Sequence, residues 1–267
     1  MDNAMLTLRN PFTGDPVPLR ATPGAMLTLG CALPADTATF TLVRALLVGD
    51  VLRRVLEDLH DVQVMSAVLS DDPDILERVG PHLSTVRPPI GVFDSAATAH
   101  SALGRAPDVL VAPRHSAEDH PLYRIPPATT VVRVAAVHWV APGLHREPDP
   151  ATVRYAFTRA PYEYELVLTS TVLDHSAAQL DRWRRRMGEW SRSASRPIPG
   201  WWRARAIAAL DDDLDVAEVA ERMNRLELSP TVEPGAKFEA FAFLDRILAT
   251  DLTRDLGRMS RQPAPAR

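Results

Sequence analysis

The side chains with the chemistry to act on a ligand fall in a few separate places along the sequence. Cys31 is the only cysteine and Lys237 the only lysine among 30 basic residues. A soft thiolate and a mobile ammonium therefore each have a single candidate. Histidines and carboxylates crowd together in His115-Ser116-Ala117-Glu118-Asp119-His120, a mixture with the donor atoms of a metal site. A polar loop accounts for that run better. His138-Trp139 closes an apolar run and could line a pocket, although a histidine at a core rim accounts for it better. Two acidic groups, Asp71-Asp72-Asp74 and Asp211-Asp212-Asp213-Asp215, carry enough charge for a divalent cation; capping of helix starts explains them without one. Arg182, Arg184, Arg185 and Arg186 follow one another around Trp183 and form the one strong basic run, suited to RNA or another phosphate-bearing ligand. The simpler arrangement turns the tryptophans inward and leaves the arginines in solvent. No Ser-His-Asp order, phosphate-binding loop or Gly-x-Gly-x-x-Gly fingerprint occurs.

These residues need a scaffold, and the apolar pattern supplies one. A chain of 267 residues that is 46% hydrophobic can bury a substantial core. Met5 to Leu19 reads as a hairpin turning at Asn10-Pro11 and Thr13-Gly14, within an N-terminal β-arm over 1–24. Ala25 to Leu33 is an apolar strand. Phe40, Val43, Leu47, Val51, Leu52 and Val55 then recur at spacings of three and four, which predicts a helix ending near His60. Val62 to Leu69 is a second strand, and Ser70-Asp71-Asp72-Pro73-Asp74 opens another helix. Strand, helix and strand in succession make a βαβ unit with parallel strands. Further strands are expected at Val109–Ala112 and Thr130–Val140, with long surface loops between Pro81 and Pro127. The fold class expected is α/β: a Rossmann-like parallel sheet domain over 25–148, followed by an α-helical bundle over 149–258 and a frayed tail over 259–267.

The net charge of −4 gives no general basic field for nucleic acid. One cysteine excludes an internal disulfide and fits a cytoplasmic setting. The first 20 residues lack a signal-peptide pattern, and no apolar run reaches membrane-spanning length, so no membrane partner is expected.

Several segments, taken in order, resemble cysteinyl-tRNA synthetases. Gly30-Cys31-Ala32-Leu33-Pro34, Arg44, and Gly49-Asp50-Val51-Leu52-Arg53-Arg54 are similar to the family's opening strand, its following arginine and its Phe-Asp-Val-Ile-Arg-Arg helix. Ser70 to Asp74, Asp149 to Phe157 and Ala209 to Asp215 resemble its Thr-Asp-x-Asp-Asp, Asp-Pro-x-x-Leu-Arg-Tyr-Phe and Ala-Met-Asp-Asp-Asp-Phe-Asn segments. The resemblance implies a class I synthetase type of fold and a nucleotide pocket. It also marks what is missing. Thr39-Phe40-Thr41-Leu42 stands where the family has its two ATP-handling histidines, so Thr39, Thr41 and Arg44 are the residues of a degenerate ATP motif. The stretch 140–148, where Lys-Met-Ser-Lys-Ser belongs, has no lysine. No anticodon-reading domain is expected after the helices.

The family's zinc ligands are two cysteines, a histidine and a glutamate. The resemblance lays Cys31 and Glu118 on two of them, with Arg114 in the histidine's place and His115 beside it. No metal is expected; were zinc retained, Cys31, His115 and Glu118 would hold it. The pocket candidates are thus Cys31, His115, Glu118 and His138. The resemblance implies a non-aminoacylating binding, regulatory or partner protein with a small-molecule or protein partner. ATP or another nucleotide is an open choice of ligand, and tRNA is not expected. The alternative is a divergent ATP-dependent ligase that joins a cysteine-type amino acid to a small amine, as mycothiol cysteine ligases do.

Overall fold

A computed structural model describes residues 6–83, 85–114, 120, 122, 126–140 and 148–256. Strands β1 (Leu6–Arg9) and β2 (Pro16–Leu19) form an antiparallel hairpin, as the turn residues predict. The centre is a five-stranded parallel sheet of β3 (Met26–Ala32), β4 (Gln63–Leu69), β5 (Val92–Phe93), β6 (Val109–Pro113) and β7 (Thr130–Val134). Its spatial order is β5-β4-β3-β6-β7. Counting outward from β3, the chain first builds one side of the sheet and then the other, so the order reverses between β3 and β6, as in Rossmann-like folds. The expected α/β class is the observed one.

Helix α1 (Thr39–His60) connects β3 to β4 and is buried along most of its length. Both of its sides are covered, so its buried residues include Arg44, Asp50 and Arg54 beside the apolar ones. One side packs on β3, β4 and β6 and the other meets α4 (Pro150–Phe157) and α8 (Pro234–Leu248). Between them in the chain come α2 (Ile75–Val79) and α3 (Ala96–Leu103), and beyond α4 lie α5 (Ser170–Trp190), α6 (Gly200–Asp211) and α7 (Val216–Leu228). On the opposite sheet face, Ala96 and Ala99 of α3 close over Ala32, Leu69, Leu110 and Ala112, together with Leu122. A single apolar core runs from Leu27 and Val68 through α1 to Trp183, Phe241 and Leu244.

Three expectations need correction. The loops foreseen over 81–127 contain α3, whose Ser95 side chain accepts from the Thr98 N–H in a reciprocal capping box. The single strand at 130–140 is two: after β7 the chain leaves the sheet at Ala135-Ala136, and β8 (Val137–Val140) pairs elsewhere. Its partner is β9 (Leu166–Thr169), parallel to it, so the region after Asp149 is not purely helical. The hydrogen bond from Ala135 N–H to Tyr162 O holds this small sheet against the turn after α4.

A buried ion cluster joins the sheet side to the helices. Asp50 on α1 is 4% exposed; its Oδ2 accepts from Arg54 Nε at 2.8 Å and Arg154 NH2 at 2.5 Å, while Oδ1 accepts from the Arg87 N–H at 2.8 Å. The guanidiniums carry the cluster outward: Arg54 donates to the Arg246 carbonyl and Arg154 to that of Leu248, both on α8. Burial would raise the Asp50 carboxyl, but Arg154 and Arg54 outweigh it and hold it below the ordinary carboxylate range.

Candidate functional site

In a parallel sheet of this order, ligands bind outside the carboxyl ends of the strands. At that end of the sheet, over β4 and β5 and to one side of the reversal between β3 and β6, is a concavity of about 510 Å³ lined by Ser70, Asp71, Pro73, Phe93, Asp94 and Thr98. Its size falls in the range of small-molecule sites, ~300–1,000 Å³. The sequence builds it simply. β4 ends at Leu69, and Ser70 Oγ turns back to donate to the Leu33 carbonyl at 2.7 Å, fixing the exit of β4 beside that of β3. Asp71 follows; its Oδ1 accepts from the Ala35 N–H at 2.8 Å, and Oδ2 lies 3.7 Å from His120 Nε2. On the other wall, Asp94 leaves β5 and accepts from Thr98 Oγ1 at 2.7 Å in the first turn of α3. Phe93 supplies an apolar side. The walls thus offer two carboxylates and two hydroxyls, with no lysine or arginine among the lining residues. Such a site suits a ligand that presents donors, such as an amine or a sugar diol, and disfavours a phosphate.

The candidates of the degenerate ATP motif go to other work. Thr39 is half-buried at the start of α1, whose first turn has no side-chain cap. Thr41 is buried and its hydroxyl accepts from the Val137 N–H at 3.0 Å, which pins β8 to α1. Between them Phe40 stacks flat on Trp139, centroids 4.4 Å apart, and tilts against His82 at 4.8 Å. Arg44 is 1% exposed and donates to four carbonyls: Ala135 and Tyr164 at 3.3 and 2.6 Å, Ala160 and Pro161 at 3.3 and 2.9 Å. Among the described residues no carboxylate neutralises it, and burial lowers its pKa to about 10, which leaves it charged at neutral pH. Arg44 therefore fastens β8 and the turn after α4 to α1 and does not reach the pocket at the strand ends.

Cys31 lies on the sheet face under α1. A Cβ added to Gly49 would come within 2.5 Å of its sulfur, so the glycine is what lets helix and strand approach. Burial, with Asp50 nearby, pushes the thiol up to about 12, which keeps it protonated and a poor metal ligand. Among the described residues no group of three or more His, Cys, Asp or Glu side chains could hold a metal. His115 and Glu118 lie outside the described residues. His138 is exposed on β8, 3.1 Å from Glu165 Oε2, at the rim and apart from Cys31.

The basic run is dispersed by the helix that carries it. Arg184, 4% exposed, turns inward to the Thr250 and Asp251 carbonyls and leaves the expected patch. Arg182 and Arg186 converge on Glu227, which is 6% exposed, at 3.0 and 3.5 Å, and Trp183 Nε1 donates to the same carboxylate. Trp183, Trp190 and Trp202 are buried while Trp201 is 59% exposed. Lys237 is also structural: its Nζ donates to the Glu227 and Ser229 carbonyls at 2.8 and 2.7 Å, satisfying the end of α7. The second acidic group is partly capping, with Asp215 accepting from the Glu218 N–H, and partly a clasp, with Asp213 accepting from the Arg9 N–H and from Tyr162.

Asp71 was visible in the sequence as a helix-start residue, whereas Asp94 and Thr98 were not singled out. The signal that could have found them is Ser95-x-x-Thr98 before an alanine-rich run, a capping-box spacing. No family model matches the chain, and no curated protein matches it. No helix among the described residues is long and apolar enough to cross a membrane.

Proposed function

We propose that the chain is a non-aminoacylating ligand-binding or partner protein of cysteinyl-tRNA synthetase ancestry, with its small-molecule site at the carboxyl ends of β4 and β5. The observation that carries this reading is the commitment of the motif residues to internal contacts: Thr41 to the Val137 N–H, Phe40 to Trp139 and His82, and Arg44 to four carbonyls. Transition-state charge on an α-phosphate needs donors aimed at it, and these side chains are already held elsewhere. The acceptor-rich pocket favours a ligand recognised through an amino group or a ribose diol, which keeps nucleotide-like and amino-acid-like molecules as the class.

Two measurements test the reading. ATP–pyrophosphate exchange with a panel of amino acids is expected to give no amino-acid-dependent signal; robust exchange would promote the ligase that joins an amino acid to a small amine. Calorimetric titration with adenosine and with free amino acids is expected to find a ligand that Asp94→Asn weakens about tenfold, the worth of one charge-assisted hydrogen bond of ~1.5 kcal/mol. Failure of every adenosine-like and amino-acid ligand to bind would remove the pocket from the proposal.

A further inference from the structure

A second concavity, about 540 Å³, lies between α5 and α7 and ends at the turn after α4. Its walls are one face of each helix. Gln179, Arg182 and Arg185 follow at helical spacing on α5, and Glu221 and Asn224 on α7. Small residues on its walls leave the space between the helices unfilled: Ala178 on one side, Ala217 and Ala220 on the other. Arg159, just beyond α4, completes the rim.

The hydrogen-bond inventory of this groove is one-sided. Arg182 reaches across it to Asn224 Oδ1 at 3.2 Å and to Glu227 at 3.0 Å, which occupies both acceptors. Glu221 is paired with Arg225 at 3.3 Å. The side chains of Arg159 and Arg185 are exposed and make no hydrogen bond or ion pair among the described residues. Both unmatched side chains are donors with full positive charge.

We propose that this groove binds a phosphate-bearing small molecule, held by the exposed guanidiniums of Arg159 and Arg185. Planar guanidiniums grip tetrahedral oxyanions through paired N–H bonds. The shape favours a small molecule over RNA. A strand of RNA needs a continuous cationic track with stacking platforms. Here Arg184 is turned inward and Arg186 is engaged by Glu189 and Glu227, so the charge stops at the ends of a compact cavity. The groove is separate from the pocket at the strand ends and does not depend on it.

The test is titration of the full chain with inorganic pyrophosphate in 0.15 M salt, followed by heat or by amide shifts. Saturable one-to-one binding is expected, weakened at least tenfold by the R159S/R185S pair and by less than twofold by Arg205→Ser, which is exposed on α6 beside Trp201. Should the pair misfold by near-UV circular dichroism, R185S alone is expected to weaken binding severalfold. Absence of saturable binding, or binding that the arginine substitutions leave unchanged, overturns the proposal. A single-stranded RNA 12-mer that binds more tightly than pyrophosphate and loses affinity in the same variants overturns it in favour of RNA.

Discussion

The two concavities differ in charge, in origin and in how far the fold foretells them. The pocket over β4 and β5 is acidic and made by chain leaving strands, so the parallel sheet accounts for the end at which it lies, although it sits to one side of the reversal between β3 and β6. The groove between α5 and α7 is cationic and made by side chains on helix faces, so its place follows from which residues happen to face each other. A Rossmann-like sheet says where to look for a ligand and nothing about which ligand; the side-chain inventory of donors and acceptors decides that. One molecule thus has one site short of donors and another short of acceptors.

The comparison assumes that sheet and helices form one cooperative body, and Asp50→Ala is the severest way to break it. The substitution would leave Arg54 and Arg154 buried without their shared carboxylate. Removing one partner of a buried pair costs about 3–5 kcal/mol. A single, much lowered melting transition is expected, with both ligand sites lost together. Two separate transitions in the parent protein would show instead that the sheet and the helices melt as independent units. The same carboxylate sets an acid limit. Its folded pKa is depressed, so its contribution to stability is complete above the unfolded value of ~3.9 and fades as pH falls through the lower folded value. Stability should therefore drop more steeply below about pH 4 in the parent than in Asp50→Asn, as followed by urea midpoints.

A smaller effect confined to the sheet side comes from Gly49→Ala. The new methyl would meet the Cys31 sulfur at 2.5 Å, and overpacking of this kind costs about 1–3 kcal/mol. Cys31→Ala removes the sulfur, so the double substitution should be more stable than the sum of the two singles. Simple additivity would mean that α1 and β3 part easily at this point and that the glycine is not required for their approach.

What was legible in the sequence follows the same division. β3, α1 and β4 stood out because long apolar runs at one period leave little choice. α3 was hidden because Ala96–Leu103 is short and half alanine, and β9 because four residues running straight into α5 carry no period of their own. Of the acidic pocket, Asp71 was visible beside its strand while Asp94 sat in a stretch read as loop. Of the groove, the arginines were visible but misassembled. Consecutive residues on a helix are 100° apart, so Arg182 and Arg185 share a face that Arg184 leaves. Arg159, some twenty residues earlier, joins them only through the packing of α4 on α5, which no local pattern encodes.

The smallest expected effects on stability are the ones that separate the two sites. Asp94 and Arg185 both sit at the surface, and the Arg185 side chain has no partner among the described residues to lose. Surface substitutions of this kind usually change stability by no more than about 0.5 kcal/mol. Asp94→Asn keeps an acceptor for the Thr98 hydroxyl, and Arg185→Ser removes repulsion from neighbouring arginines, so both should fold with a melting point within a few degrees of the parent. Their ligand effects should then cross. Asp94→Asn should leave pyrophosphate binding unchanged, and Arg185→Ser should leave binding of an amine- or diol-bearing ligand unchanged. Parallel titrations of the two variants with both probes check this. Loss of both ligands in either single variant would mean that the sites are coupled or that one of them is only a surface contact of the other.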